Sequence, residues 1–310
     1  MKTSSIRAET ATLTRREPIL FHASPWQKSR AAPRPARRPP RKAQCFLVFA
    51  AMLVSFAAGA ETILITGSNR GIGLEFAKQY AARGWHVIAT HRREQVPETL
   101  AELSSEYDNI QVETLDVNNA AHLEALVDKL DGMPIDVLLN NAAVMGINAT
   151  GTLATQTNEN FGTLVPEHFM PYFTTNVLAP LLVSEALVEN VLASDRKMIL
   201  NMTSGAGSIT TGMEAFAGTG FFYKSTKAAL NRNMVNLAAH LRTMDPEAIT
   251  FNLAPGFTIT ERFEGMTEDE IGNRGTPVKD VVAGFIEVID QATPEHSGRI
   301  YGFEGEVKPF

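Results

Sequence analysis

Tyr223 and Lys227 stand four residues apart in Tyr223-Lys224-Ser225-Thr226-Lys227, inside a stretch with helical periodicity. That spacing puts both on one helix face. A phenol ionises near pH ~10 and is a poor acid or base at neutrality. An ammonium one turn away favours the phenolate. The pair can therefore pass a proton to or from a carbonyl/alcohol couple. Such a pair is common by chance, and an ordinary helix with a packed Tyr and an exposed Lys is the plainer alternative. A second feature tips the balance. The run Thr66-Gly67-Ser68-Asn69-Arg70-Gly71-Ile72-Gly73 follows the apolar Thr62-Ile63-Leu64-Ile65 and precedes Leu74-Glu75-Phe76-Ala77-Lys78-Gln79-Tyr80-Ala81. Strand, glycine turn and helix form the context of a dinucleotide-binding loop, with a surface turn as the alternative. Gly67, Gly71 and Gly73 allow a tight turn and a close approach of the backbone to a pyrophosphate. The helix N-terminus adds unpaired N–H donors and a partial positive charge.

The elements that hold these groups alternate along the chain. Short apolar runs fall at Thr62–Thr66, His86–Thr90, Ile110–Leu115, Val137–Asn140, Lys197–Met202, Ala248–Leu253 and Arg299–Gly302. Helical patterns lie between them, at Leu74–Arg83, Pro97–Glu106, His122–Leu130, Pro166–Leu192, Tyr223–Arg242 and Val278–Gln291. This predicts one α/β domain over residues 61–310: a doubly wound, Rossmann-type parallel sheet of about seven strands with helices on both faces. Ligands of such sheets bind at the carboxyl ends of the strands. The long loops Gly146–Leu164 and Gly205–Phe222 lie at such ends, and long loops tend to be functional.

The net charge of −6 conceals an asymmetry. Residues 1–60 hold 11 Lys and Arg against 2 Glu, while the remainder carries a net −15. An acidic body argues against nucleic acid as a partner. The single Cys45 excludes an intrachain disulfide and argues against a cysteine-ligated zinc. Residues 1–44 are rich in Arg, Pro, Ala and Ser and form no core; a disordered basic extension is expected. Residues 45–60 join an uncharged apolar run to Ala58-Gly59-Ala60. The run is short for a membrane span, which needs about 20 apolar residues. It matches a secretory signal, with cleavage expected before Glu61. On that reading the protein is exported and keeps no membrane span after processing. An anchor, a transit sequence or a start assigned too early are the alternatives, and without a signal the location is cytoplasmic.

The strand Met198–Met202 ends in Thr203-Ser204, which sets a hydroxyl at a carboxyl strand end. Together with the glycine loop and the Tyr223/Lys227 pair, this resembles the short-chain dehydrogenase/reductase family over nearly all of residues 62–310. The family's glycine motif corresponds to Thr66-Gly67 through Gly71-Ile72-Gly73. Its Asn-Asn-Ala-Gly motif is similar to Asn140-Asn141-Ala142-Ala143, with Ala143 in place of glycine. The resemblance implies a catalytic set of Asn176, Ser204, Tyr223 and Lys227, with Ser208 as a fallback for Ser204. It implies that Asn176 bends a helix and holds a water relaying protons through Lys227. It further implies cofactor contacts at Thr66, Gly67, Asn69, Arg70, Gly71, Ile72, Gly73, Asp116, Val117, Asn141, Ala142, Ala143, Tyr223, Lys227, Pro255, Gly256 and Thr258. For Asp116 a turn or cap on Asn118-Asn119 is the alternative. The segments Ser225–Asn231 and Gly298–Gly305 look closest to the C-factor or sniffer-like carbonyl reductase branch.

The nicotinamide form is read from the end of the second strand. NAD sites place a carboxylate there for the ribose 2′-hydroxyl. Here the strand runs into His91-Arg92-Arg93, and Arg70 lies in the glycine loop. Guanidinium groups suit a 2′-phosphate, so NADP(H) is favoured, with Arg92 a contact and NAD(H) the alternative. The expected function is hydride transfer between NADP(H) and a small-molecule carbonyl or alcohol. A nucleotide-binding signalling or scaffold protein without turnover is the alternative from another class. Phe216, Phe221, Phe222, Phe257, Phe263 and Met266 either line an apolar substrate site or pack loops. Glu261–Gly275 is a candidate lid. A homodimer and a monomer both fit.

Overall fold

The computed structural model describes residues 59–146, 159–211, 219–263 and 275–310. The expected basic extension, nearly all of the signal-like segment, Phe216, Met266 and most of the candidate lid lie outside the described residues. Among the described residues are ten strands: β1 Thr62–Ile65, β2 His86–His91, β3 Ile110–Thr114, β4 Val137–Asn140, β5 Met198–Met202, β6 Ile249–Leu253, β7 Thr258–Ile259, β8 Thr276–Pro277, β9 Ile300–Tyr301 and β10 Val307–Lys308. Eight form one sheet in the order β10-β9-β6-β5-β4-β1-β2-β3. All its pairs are parallel except β10 with β9. The sheet thus has one strand more than expected, and it is antiparallel. Two residues at an edge carry too little alternation to be read from sequence. A separate parallel pair, β7 with β8, follows the Pro255-Gly256 turn.

The central strands β1, β2, β4, β5 and β6 are buried on both faces, which is why they read as apolar runs, whereas β3 at the sheet edge is only partly buried. Ile63, Ile65, Val87 and Ala89 face a core with Phe76 and Tyr80 of α1 (Gly71–Ala82) and with Phe285 and Ile289 near the chain's C-terminal end. Leu64, Ile88, Leu138 and Ile199 face the opposite core with Leu123, Leu126, Val183 and Leu187. The strand order reverses between β1 and β4, so the carboxyl ends of β1 and β4 open a crevice where such sheets bind ligands. The other α-helices among the described residues are α2 (Glu98–Glu106), α3 (Ala120–Lys129), α4 (Phe169–Phe173), α5 (Ala179–Leu192), α6 (Phe221–Met244) and α7 (Val278–Asp290). Asn119 caps α3 by accepting from the N–H groups of Ala121 and His122 at 3.0 and 3.4 Å.

The helix expected over Pro166–Leu192 is instead a composite. A 3-10 turn at Pro166–His168 leads into α4, and a π turn at Thr174–Leu178 joins α4 to α5. The physical reason is Pro180, the second residue of α5. It has no N–H for the carbonyl four residues back, that of Asn176, and its ring crowds that carbonyl. The chain widens by one residue, and the Ala179 N–H reaches back to Thr174. The same run is long and apolar enough to cross a membrane. Here Val183, Leu187 and Val191 are spent on the second core.

Candidate active site

The glycine loop is built by cross-bonding β1 to β4. Thr66 Oγ1 accepts from the N–H groups of Asn141 and Ala142 at 2.9 and 3.0 Å. Asn141 Nδ2 donates to the carbonyls of Thr66 and Gly67 at 3.0 and 3.1 Å. Gly67 and Gly71 take φ of +70° and +57°, a region that disfavours side chains. Gly73 is required for a different reason: a Cβ there would stand 2.4 Å from Asn141 Nδ2 and 2.5 Å from the Gly67 carbonyl. Ser68 N–H donates to the Thr90 carbonyl at 2.8 Å, and Thr99 Oγ1 to that of Asn69 at 2.8 Å, which fastens the loop to β2 and α2. Ala143 has no positive φ, so the family's glycine is not needed there and alanine fits.

Arg70 is exposed at the start of α1, and Arg92 and Arg93 are exposed after β2. His91, the last residue of β2, is 1% exposed, with its ring near the Arg93 backbone. Burial holds its pKa below the ordinary imidazole value. The turn with positive φ at Gly67 and Gly71 leads directly into the N-terminus of α1, an arrangement of donors that fits a dinucleotide's pyrophosphate. Asp116 forms a turn, its Oδ1 accepting from Asn118 N–H at 3.0 Å, which is the turn reading of this residue. Val117 packs against the second core.

The four residues expected to do chemistry converge on α6. Lys227 is 2% exposed and donates to the Met202 carbonyl, the last of β5, at 2.9 Å. Burial pushes its pKa from 10.5 down to about 8. Its Nζ lies 5.6 Å from the centroid of the Tyr223 ring. Ser204 follows β5 and heads a short turn, Gly205–Gly207. Its Oγ accepts from Ala206 N–H at 3.1 Å, so the hydroxyl hydrogen is left to donate elsewhere. Gly207 presses this turn onto α6: a Cβ would meet the Lys227 carbonyl carbon at 2.6 Å. Ser208 is buried, and its hydroxyl both donates to Phe310 O and accepts from Thr211 N–H. Both capacities are used, so Ser204 is the better-poised hydroxyl.

Asn176 sits in the π turn with both ends of its amide engaged. Oδ1 accepts from Val144 N–H at 2.7 Å, and Nδ2 donates to Val144 O at 2.8 Å and to Thr226 Oγ1 at 3.1 Å. Thr226 Oγ1 donates in turn to the Tyr223 carbonyl at 2.6 Å. Asn176 therefore ties the segment after β4 to the helix bearing Tyr223. Its spacing to Pro180 is a sequence signal for the freed carbonyl.

Glu159 was not foreseen. It is 4% exposed and clamps the start of α6, where Gly220 has a left-handed backbone and provides no side-chain cap. Its Oε2 accepts from Tyr223 N–H at 2.9 Å, its Oε1 from Tyr172 OH at 3.1 Å, and its carbonyl from Phe221 N–H at 2.9 Å. Asn160 Oδ1 adds a bond from Gly220 N–H at 3.0 Å. Because these partners come from a distant loop, local spacing gave no sign of them.

In the Pro255-Gly256 turn after β6, Gly256 has φ of +67°. Thr258 Oγ1 turns back to donate to the Pro255 carbonyl at 3.0 Å. Thr260 and Glu261, the latter the first residue of the candidate lid, reach the glycine loop: Thr260 Cγ2 lies 3.7 Å from where a Gly71 Cβ would be. The aromatics divide. Phe222 is buried edge-on to Phe169 and Tyr172. Phe221 and Phe257 are partly exposed and pair with Phe161 and Phe263.

The short chain dehydrogenase family model matches residues 61–271 of the chain. The C-signal protein of Myxococcus xanthus is 31% identical over 179 residues, which span 57% of this chain and 93% of that protein. An uncharacterised oxidoreductase of Schizosaccharomyces pombe is 26% identical over 263 residues, 79% of this chain and 96% of its own length. Among solved structures, the NADPH-bound carbonyl reductase from chicken fatty liver superposes with a TM-score of 0.69 at 25% identity, over 81% of this chain and 99% of that one.

Proposed function

The chain belongs to the short chain dehydrogenase family, near its carbonyl reductase branch, and on that premise we propose that it is an NADP(H)-dependent reductase of carbonyl compounds. The observation that carries this reading is the juxtaposition of Lys227 with the Tyr223 ring at one end of a glycine-cradled crevice. The cofactor, when bound, supplies the hydride; the protein supplies position and protons.

Thr66, Gly67, Gly71 and Gly73, braced by Asn141, would hold the pyrophosphate at the N-terminus of α1. Arg70 and Arg92 would hold the 2′-phosphate. Ser204 would donate its hydroxyl hydrogen to the substrate oxygen, and Tyr223 would give that oxygen its proton. The Lys227 ammonium would stabilise the charge left on the Tyr223 oxygen. Since the Asn176 side chain is fully engaged, its part in a proton relay falls to its main-chain carbonyl, which Pro180 leaves without a helical donor. The exposed faces of Phe221 and Phe257 favour a substrate with apolar bulk beside the carbonyl.

The test is titration of NADPH and NADH against the protein, followed by oxidation of bound NADPH with a panel of aldehydes and ketones. Binding and turnover are expected; failure to bind either nucleotide would sink the reading. Replacing Arg92 with Ala is expected to weaken NADPH binding about 10-fold or more and leave NADH unchanged, because a charge-assisted contact to phosphate is worth roughly 1.5–3 kcal/mol. Equal losses for both nucleotides would remove Arg92 from the 2′-phosphate. A signalling role without turnover, the second reading, draws on the C-signal relative. NADPH binding with no turnover across the panel would favour it.

A further inference from the structure

Helix α1 begins without a cap of its own. Arg70 precedes it in extended backbone and makes no side-chain cap bond, and the first turn holds no acidic residue. The anion that satisfies its first N–H comes from far along the chain. Gly71 N–H donates to Glu261 Oε2 at 3.1 Å. Both carboxylate oxygens, at 3.8 and 4.0 Å, lie over the spot where Gly71 lacks a Cβ. A charged group therefore covers the face of the loop that its glycines keep open.

We propose that Glu261 is an internal anion that competes with the cofactor's pyrophosphate for the N-terminus of α1 and thereby sets cofactor affinity. The proposal rests on the reading that NADP(H) binds this glycine loop. A helix N-terminus attracts either negative group through the same donors and partial charge. Two anions held within a few ångströms repel one another. The carboxylate must therefore give up the Gly71 N–H as the pyrophosphate arrives, and its loss is subtracted from the binding free energy. Glu261 then has two effects of opposite sign. It supports α1 in the free protein and weakens the complex. A purely structural cap would behave otherwise, since removing it would loosen the loop and weaken both.

The experiment compares the full chain with Glu261→Gln and Glu261→Asp. NADPH dissociation constants come from nucleotide fluorescence at low salt, and the Tm of the nucleotide-free protein from circular dichroism. Glu261→Gln, which keeps the shape and removes the charge, is expected to bind NADPH about three- to tenfold tighter while its own Tm falls. The gain should shrink at high salt, as screening removes the repulsion. Glu261→Asp keeps the charge and is expected to stay nearer the wild type. Unchanged or weaker NADPH binding by Glu261→Gln, with wild-type binding intact, overturns the proposal. A wild-type protein that binds no NADPH overturns the underlying reading, and the proposal with it.

Discussion

Replacing Tyr223 with Phe is expected to lower turnover by about 10²–10⁴-fold, the usual worth of a positioned general acid, with NADPH affinity changed little. The phenol ring contributes packing as well as a hydroxyl, and Phe keeps the ring. Tyr223 is held by its backbone: its N–H bonds to Glu159 Oε2 and its carbonyl accepts from Thr226 Oγ1, and neither bond involves the hydroxyl. The helix should therefore stay in place, and the loss should be chemical. Single-turnover oxidation of bound NADPH, set beside a binding titration, separates the two. Retained turnover in Tyr223→Phe would reject Tyr223 as the proton donor. A parallel loss of NADPH binding would mean that the hydroxyl serves the cofactor instead.

Replacing Lys227 with Met is expected to cost activity and gain stability. The ammonium is buried, and among the described residues its hydrogen bond goes to a single carbonyl, that of Met202. Burial lowers its pKa from 10.5 in the unfolded chain to about 8 in the folded one. The folded state thus holds the proton less tightly than the unfolded state. Stability from this group is complete above pH 10.5 and falls as the pH drops through 8. Near neutrality the charged side chain therefore costs up to about 3 kcal/mol. Met fills a similar volume without charge. After allowance for the Met202 carbonyl left without its donor, the net gain near neutral pH should be about 1–2 kcal/mol. Urea unfolding checks the sign: the variant should be the more stable near neutrality, and the gap should close toward pH ~10. A destabilised variant at neutral pH would show that the Met202 bond outweighs the desolvation of the ammonium. Turnover should fall because the charge beside the Tyr223 ring is gone. A site that keeps a costly buried charge exchanges stability for chemistry.

Much of this was legible in the chain alone. The apolar runs announced strands buried on both faces, because a parallel sheet covered by helices leaves no solvent face to mark with polar residues. The glycine loop and the Tyr223/Lys227 spacing were legible because each is local: a turn that needs positive φ, and one helical turn that aligns two side chains. Periodicity reads Pro166–Leu192 as one helix, while the bend at Asn176 was implied by the resemblance; its local cause is legible too, since Pro180 stands four residues after Asn176. The antiparallel edge strand Val307–Lys308 was missed because two residues carry no period.

By itself, then, the sequence determined the class of fold through periodicity, and it pointed to the glycine loop and the Tyr223/Lys227 pair through spacings within about ten residues; Asn176 and Ser204 were implied only by the resemblance to the family. Only the tertiary structure decided what those residues touch. It joined Asn141 to Thr66 across 75 positions and Glu159 to Tyr223 across 64. It committed Ser208 to Phe310, spent the Asn176 amide on Val144, and laid Glu261 on the first N–H of α1. Hydrogen bonds between distant segments leave no period in the chain. They exist only once the two cores have closed on the sheet and brought its strand ends together.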